Sequence, residues 1–306
     1  MRFLIEHETR LEFTTPVYEE HCEIRLSPRP GPFHRVLSTE LTMDPPSQVF
    51  RYTDVFGNTV QHFNVLKPHQ TLVTRVRSEV ETTLTNPFEF NLLSPKQEAA
   101  WYRDRLKEDP LLWQYILHRS PAAPEWSSLD LENLSPPVCD REKPVMESVL
   151  KAVDWAASAL QYQPGTSHTH SSLQEVLKQR KGVCQDFSHL LLALIRSWEI
   201  PARYVMGYMD AGVENYDDSK DDQASHAWVE ALIPGAGWRG FDATNRLTAN
   251  DLYIPVAMGR DYLDAAPQRG TFKGNAVRQT QAVHVSLHQQ PAKPPRDPVQ
   301  EQQVAQ

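Results

Sequence analysis

Gly182-Val183-Cys184-Gln185-Asp186-Phe187 is the stretch on which the reading of this 306-residue chain turns. From Gln185 onward Phe187, Leu190, Leu191, Leu194, Ile195 and Trp198 recur at three- and four-residue spacings, the apolar stripe of an amphipathic helix. The stripe places Cys184 at the helix N-terminus. There unpaired N–H groups and the positive end of the macrodipole favour an anionic, nucleophilic sulfur. Gly182 lets the backbone turn sharply into the helix and leaves the sulfur uncovered. A single cysteine so placed is more often packed than reactive, so the case for catalysis rests on what lies downstream.

Downstream, Ile200-Pro201 breaks the helical pattern and Ala202 to Met209 reads as a buried strand. Two further strands, Ser225 to Ile233 and Trp238 to Thr244, are joined by Pro234-Gly235-Ala236-Gly237 as a hairpin. His226 opens the first strand and Asp242 closes the second, so both stand at one end of the hairpin. Side chains alternate faces along a strand, which makes register decisive. With Ile233 opposite Trp238, Asp242 would face Val229 and point away from His226. With Leu232 opposite Trp238, Asp242 comes against Trp228, diagonal to His226 on the same face and within reach. The expectation is therefore a five-residue loop from Ile233 to Gly237, or an equivalent bulge.

A thiol, an imidazole and a carboxylate so ordered are the parts of an acyl-transfer enzyme. His226 would take the thiol proton, Asp242 would orient the imidazole, and Cys184 would attack an amide carbonyl. The Cys184 backbone N–H leads as oxyanion donor. Tyr162 stands just ahead of the helix, where it can pack on the cleft or donate to the oxyanion. With Trp228 and Trp238 as cleft walls, it completes the expected substrate-binding set.

Upstream, residues 1 to about 90 read as strands. Tyr18 to Leu26, Val49 to Tyr52, Val60 to Leu66 and Thr71 to Thr83 are β-rich, and Leu72, Thr74, Val76, Ser78 and Val80 share one face. Gly57-Asn58 supplies a hairpin turn. An antiparallel sandwich over residues 1–93 is the simplest way to bury these faces. No chemistry is assigned there: His7, His21, His34, His62 and His69 are scattered singly and read as structural or surface histidines. Residues 94–288 form the catalytic unit. They hold a helical stretch from Leu106 to His118 broken near Asp109-Pro110, a helix from Pro144 to about Leu160, and a short helix capped by Ser171 and Glu175. A last strand runs from Thr280 to Leu287. The tail 289–306, rich in Gln and Pro, is too polar to fold.

The net charge of −8 argues against a nucleic-acid footprint and against binding an anionic membrane. The three cysteines, Cys22, Cys139 and Cys184, are odd in number and widely spaced, which points to a reducing cytoplasm and not to a disulfide framework. The N-terminus lacks the apolar run of a signal peptide. No cofactor is expected. The acidic segment Asp210 to Gln223 reads as a solvated loop, since it lacks the spacing and glycine of a calcium-binding loop.

Four ordered motifs carry a family resemblance: Gly182 to His189, Pro201-Ala202-Arg203-Tyr204-Val205-Met206-Gly207-Tyr208, Ser225-His226-Ala227-Trp228-Val229-Glu230, and Gly237-Trp238 with Phe241-Asp242-Ala243-Thr244-Asn245. They resemble the bacterial transglutaminase-like superfamily over most of the chain. The resemblance implies a papain-like α+β core, a preceding β-rich domain that Asp54-Val55-Phe56-Gly57-Asn58 also matches, and Cys184, His226 and Asp242 as catalytic residues. Ala243 departs from the family, which usually has proline after the aspartate. Within the superfamily, peptide or isopeptide hydrolysis is the expected reaction on a protein or peptide substrate, with water as acceptor. The alternatives are glutamine–amine cross-linking, a binding module without turnover, and a metal site using His168 or His170. His189 lies about 140° around the helix from Cys184 and cannot easily share an ion with it.

Overall fold

The computed structural model describes residues 1–210 and 225–291. Within them the chain is α+β, with two large antiparallel sheets and the helices packed on the second. The first sheet begins with β1 (Arg2–Ile24), β2 (His34–Asp44), β3 (Val49–Thr53), β4 (Thr59–Val65) and β5 (His69–Thr82). On β5 the alternation works as read: Leu72, Thr74, Val76, Ser78 and Val80 are all buried. On β1 the buried face passes through Phe3, Ile5, Leu11, Phe13 and Val17 and then shifts to Cys22 and Ile24. The shift falls at a bulge between Tyr18 and His21, where Glu19 takes a left-handed φ of 54°.

The helical region follows with α1 (Pro95–Glu108), α2 (Gln114–Leu117), α3 (Val145–Ala159), β6 (Gln161–Tyr162), α4 (Leu173–Gln179), β7 (Lys181–Gly182) and α5 (Cys184–Ser197). A single 3₁₀ turn at Pro110–Trp113 separates α1 from α2, as the break at Asp109-Pro110 suggests. The cap of α4 is Ser172, one residue beyond the expected Ser171, in a capping box with Glu175. Then come β8 (Ala202–Met209), β9 (Ser225–Ile233), β10 (Gly237–Asp242), β11 (Leu247–Thr248), β12 (Tyr253–Gly259), α6 (Tyr262–Ala265), β13 (Gln268–Gly274) and β14 (Gln279–Gln290). The second sheet has the order β11-β10-β9-β8-β12 and lies against α5.

Two expectations are corrected. The first region is one curled sheet and not a sandwich, because the 23-residue β1 bonds to β5 and β4 along one side and to β14 and β13 along the other. The strands β13 and β14, expected within the 94–288 unit, therefore belong to the first sheet, and Gln289 and Gln290, expected in the unfolded tail, pair with Phe3 and Arg2. The rest of that tail, and the acidic segment apart from Asp210, lie outside the described residues.

The Asp54–Asn58 turn joins the two sheets. Asn58 is fully buried; its Nδ2 donates to the Met258 carbonyl at 2.7 Å and its Oδ1 accepts from the Met258 N–H at 2.9 Å. Asp54 Oδ1 accepts from the N–H groups of Phe56 and Asn58 and so shapes the turn that presents that amide. Thr82 Oγ1 donates to the Asp251 carbonyl at 2.6 Å, and His34 Nε2 meets the Tyr253 carbonyl at 3.1 Å. One apolar core runs through both sheets.

Candidate active site

Cys184 is the first residue of α5 and is half-buried. The helix start is fixed by Asp186, whose Oδ2 accepts from the Val183 N–H at 2.8 Å and from the Ser167 hydroxyl at 2.5 Å. Burial raises the Asp186 pKa, while these two donors act to lower it. Gly182 is required by packing and not by an unusual φ: a Cβ there would stand 2.7 Å from the Asp186 side chain.

The hairpin has the register that brings the other two groups together. Trp238 pairs with Leu232, and Gly237 still pairs with Ile233, so the loop is the three residues Pro234 to Ala236 and not five. His226 Nε2 lies 2.7 Å from Asp242 Oδ2. That bond leaves Nδ1 as the ring nitrogen for a sulfur. Gly207 pairs with His226 across β8 and β9, and a Cβ there would meet the Ile254 carbonyl at 2.2 Å and the Trp228 ring at 2.6 Å.

Asp242 has no exposed surface, and every lone-pair direction is engaged. Its Oδ2 accepts from His226, from Asn245 Nδ2 at 2.8 Å and from the Tyr253 hydroxyl at 2.9 Å. Its Oδ1 accepts from the N–H groups of Thr244 and Asn245 at 2.9 and 3.2 Å. Burial alone would raise the carboxyl; these donors, His226 foremost, hold it below the ordinary value. For His226 burial again opposes charge, yet hydrogen bonding to Asp242 and to Cys184 outweighs it and pushes the imidazole up to about 10.

Cys184 and His226 line one cleft of about 270 Å³. Its floor comes from α5, β8 and β9, through residues such as Tyr204 and Met206. Its other wall belongs to the first sheet: His7 and Thr9 of β1 with Gln281 and Val283 of β14.

Residues 132–243, which include Cys184, His226 and Asp242, match the model of the transglutaminase-like superfamily, and residues 3–81 match the bacterial transglutaminase-like N-terminal region. The chain belongs to the transglutaminase-like superfamily. An uncharacterized protein of Mycobacterium leprae is 31% identical over 284 residues, 92% of this chain and 97% of that one. One of Mycobacterium tuberculosis is 28% identical over 292 residues, 94% of this chain and 92% of its own. A crystal structure of a candidate cysteine protease from Cytophaga hutchinsonii has the same fold, with a TM-score of 0.69 at 22% identity over 94% of this chain and 90% of that one.

The other residues expected at this transglutaminase-like site are dispersed. Tyr162 is half-exposed and pairs with Gly182, two positions before Cys184, with its ring 6.5 Å from Phe187. Trp228 is 1% exposed and lies behind His226, ring centroids 6.3 Å apart, so it backs the imidazole and does not wall the cleft. Trp238 is corrected outright: it sits six strand positions from the His226 end, about 20 Å away, under the Arg203 guanidinium. His189, weighed for metal binding, stacks on Tyr204 and accepts from the Tyr262 N–H, and burial lowers it to about 4. Tyr253 and His7 were not legible as site residues. His7 is buried with Nδ1 3.0 Å from the Tyr208 hydroxyl and Nε2 3.2 Å from Thr9 Oγ1. Only the broken alternation at positions 7 and 9 of β1 hints at it.

Proposed function

We propose that this chain hydrolyses amide bonds of peptides or proteins through an acyl-thioester on Cys184. His226 Nδ1 takes the proton from Sγ, and Sγ attacks the carbonyl carbon. The oxyanion is met by the Cys184 N–H. Collapse of the tetrahedral adduct breaks the C–N bond, and the amine leaves with the proton from His226. Water then gives its proton to His226 and releases the acid and the free thiol. What carries this reading is the 2.7 Å bond from His226 to an Asp242 whose oxygens are held by further donors, at the edge of the cleft that holds Cys184. The free thiols Cys22, Cys139 and Cys184 support a reducing compartment, the cytoplasm. Among the described residues no helix is long and apolar enough to cross a membrane.

Brief iodoacetamide treatment between about pH 5 and 8, read by mass spectrometry, tests the site, since a His-supported thiolate persists at acidic pH. Cys184 should be alkylated selectively over Cys22 and Cys139 at the acidic end, and His226→Ala should abolish the selectivity. Equal labelling of the three cysteines, or no change in the variant, would leave a binding module on the same fold. Product analysis with a fluorescent primary amine present then separates the acceptors. Free acid alone supports hydrolysis, and amine incorporation would make the chain a transferase.

A further inference from the structure

The cleft does not end at Cys184. A second cavity of about 670 Å³ adjoins it and shares Thr169, Tyr262, Gln268 and Gln281 with it, so the two form one continuous groove. Gln268 pairs with Ile24 and Gln281 with Leu11, far apart along β1; the curl of the sheet brings them to one place. The chemistry of the second cavity differs from that of the first. It is lined by the imidazoles of His21, His62 and His170 and by the guanidinium of Arg269.

Charge balance along this lining is uneven. The one carboxylate on it among the described residues, Glu23, is already engaged: Oε1 accepts from the Tyr52 hydroxyl at 2.8 Å and Oε2 lies 3.3 Å from Arg25 Nη2. Arg269 stands on the exposed face of β13 beside Tyr262, opposite Glu23 in the register with β1; it lines the second cavity and makes no ion pair among the described residues. An arginine whose cross-strand carboxylate is held by Tyr52 and Arg25, in a cavity continuous with the cleft of the nucleophile, is placed to receive another carboxylate from a ligand.

We propose that Arg269 is a specificity-determining residue: the groove selects peptides that present a free carboxylate, as an acidic side chain or as a chain terminus, to its guanidinium while the scissile amide lies at Cys184. The inference rests on the reading of the cleft as a substrate site and adds the class of substrate.

The test is binding by fluorescence anisotropy to the full-length Cys184→Ala protein, which removes thiol chemistry from the readout. Three fluorescein-labelled alanine-glycine octapeptides are compared: neutral and C-terminally amidated, neutral with a free C-terminus, and amidated with one internal glutamate. At least one carboxylate peptide should bind about tenfold more tightly than the neutral amide, the scale of one charge-assisted hydrogen bond. Which of the two does so names the source of the carboxylate. Adding Arg269→Ala should erase the preference, and Arg269→Glu should turn it toward a lysine-bearing peptide. Equal affinities for all three peptides, or a preference that survives Arg269→Ala, would overturn the proposal. Iodoacetamide labelling reports separately on the nucleophile. A reactive Cys184 without carboxylate preference removes the groove proposal alone, and an inert Cys184 with the preference intact removes the hydrolysis reading alone.

Discussion

The protein holds two sets of cysteine, histidine and carboxylate, one in the first sheet and one between α5 and the second sheet, and they differ in order. In the first sheet His69 Nε2 lies 2.7 Å from Glu20 Oε2, and the Cys22 thiol donates to Glu20 Oε1 at 3.4 Å. In the second, His226 Nε2 lies at the same 2.7 Å from Asp242 Oδ2. In the first set the carboxylate is in the middle, so the sulfur faces an anion, and the other nitrogen of His69 is turned to the Lys67 carbonyl at 2.8 Å. Burial, with the charge of Glu20, pushes the Cys22 thiol up. In the second set the imidazole is in the middle, Cys184 is the first residue of a helix, and a cleft gives access to it. The same residue types, with the same 2.7 Å histidine–carboxylate bond, therefore make a packed polar cluster in one set and a candidate nucleophile in the other.

The largest contrast is at the sulfurs. Cys184→Ala should lower kcat/KM for a peptide substrate by roughly 10⁴-fold or more, since a nucleophile and its base act as a unit. Cys22→Ala should cost no more than about tenfold, because Cys22 lines the second cavity and bonds to Gln268 of the cleft but takes no part in the thiol chemistry. A comparable loss from Cys22→Ala would break the distinction between the two sets.

Next come the carboxylates. Asp242→Asn should cost on the order of 10³- to 10⁴-fold in kcat by misorienting His226, whereas Glu20→Gln should reduce stability and spare the rate. A pH series of unfolding sharpens this. His226 is raised in the folded state to about 10 from an ordinary 6.5. Its contribution is therefore complete below about pH 6.5 and is lost as pH rises through about 10. The stability difference between wild type and Asp242→Asn should shrink across that window. A difference that grew toward alkaline pH would mean the imidazole is not held charged by Asp242.

Much of the second sheet was legible because its signals are local. The stripe on α5, the Pro201 break and the hairpin fixed the elements, and alternation fixed which register could join His226 to Asp242. The first half of β1 was obscured because Phe3, Ile5, Leu11 and Phe13 are interrupted by His7 and Thr9, buried polar residues that face the cleft. The curl of the first sheet was hidden for another reason. It depends on Glu19 at a left-handed φ and on pairing between β1 and strands more than two hundred residues away, and neither has a local sequence period. Trp238 misled because an aromatic near a catalytic motif can serve the core, here under Arg203 and against Tyr115, 5.5 Å between centroids.

The smallest expected effect tests how Asp242 is held. Its Oδ2 accepts at once from His226, Asn245 and Tyr253, and removal of one neutral donor leaves the others in place. Tyr253→Phe keeps the ring that packs edge-on against Trp228 at 5.3 Å and deletes only the hydroxyl. One hydrogen bond to a charged group is worth about 1.5–3 kcal/mol, but the retained donors share the charge. The expected loss is therefore about 3- to 10-fold in kcat, with KM unchanged, if the hydroxyl acts through orientation of the imidazole. Because that donor also helps to keep Asp242 ionised, the acid limb of the kcat profile should move to higher pH in the variant. A fall in thermal stability with kcat and its acid limb unmoved would make Tyr253 a core residue like Trp228. The imidazole would then be held by Asp242 and Asn245, with no help from β12.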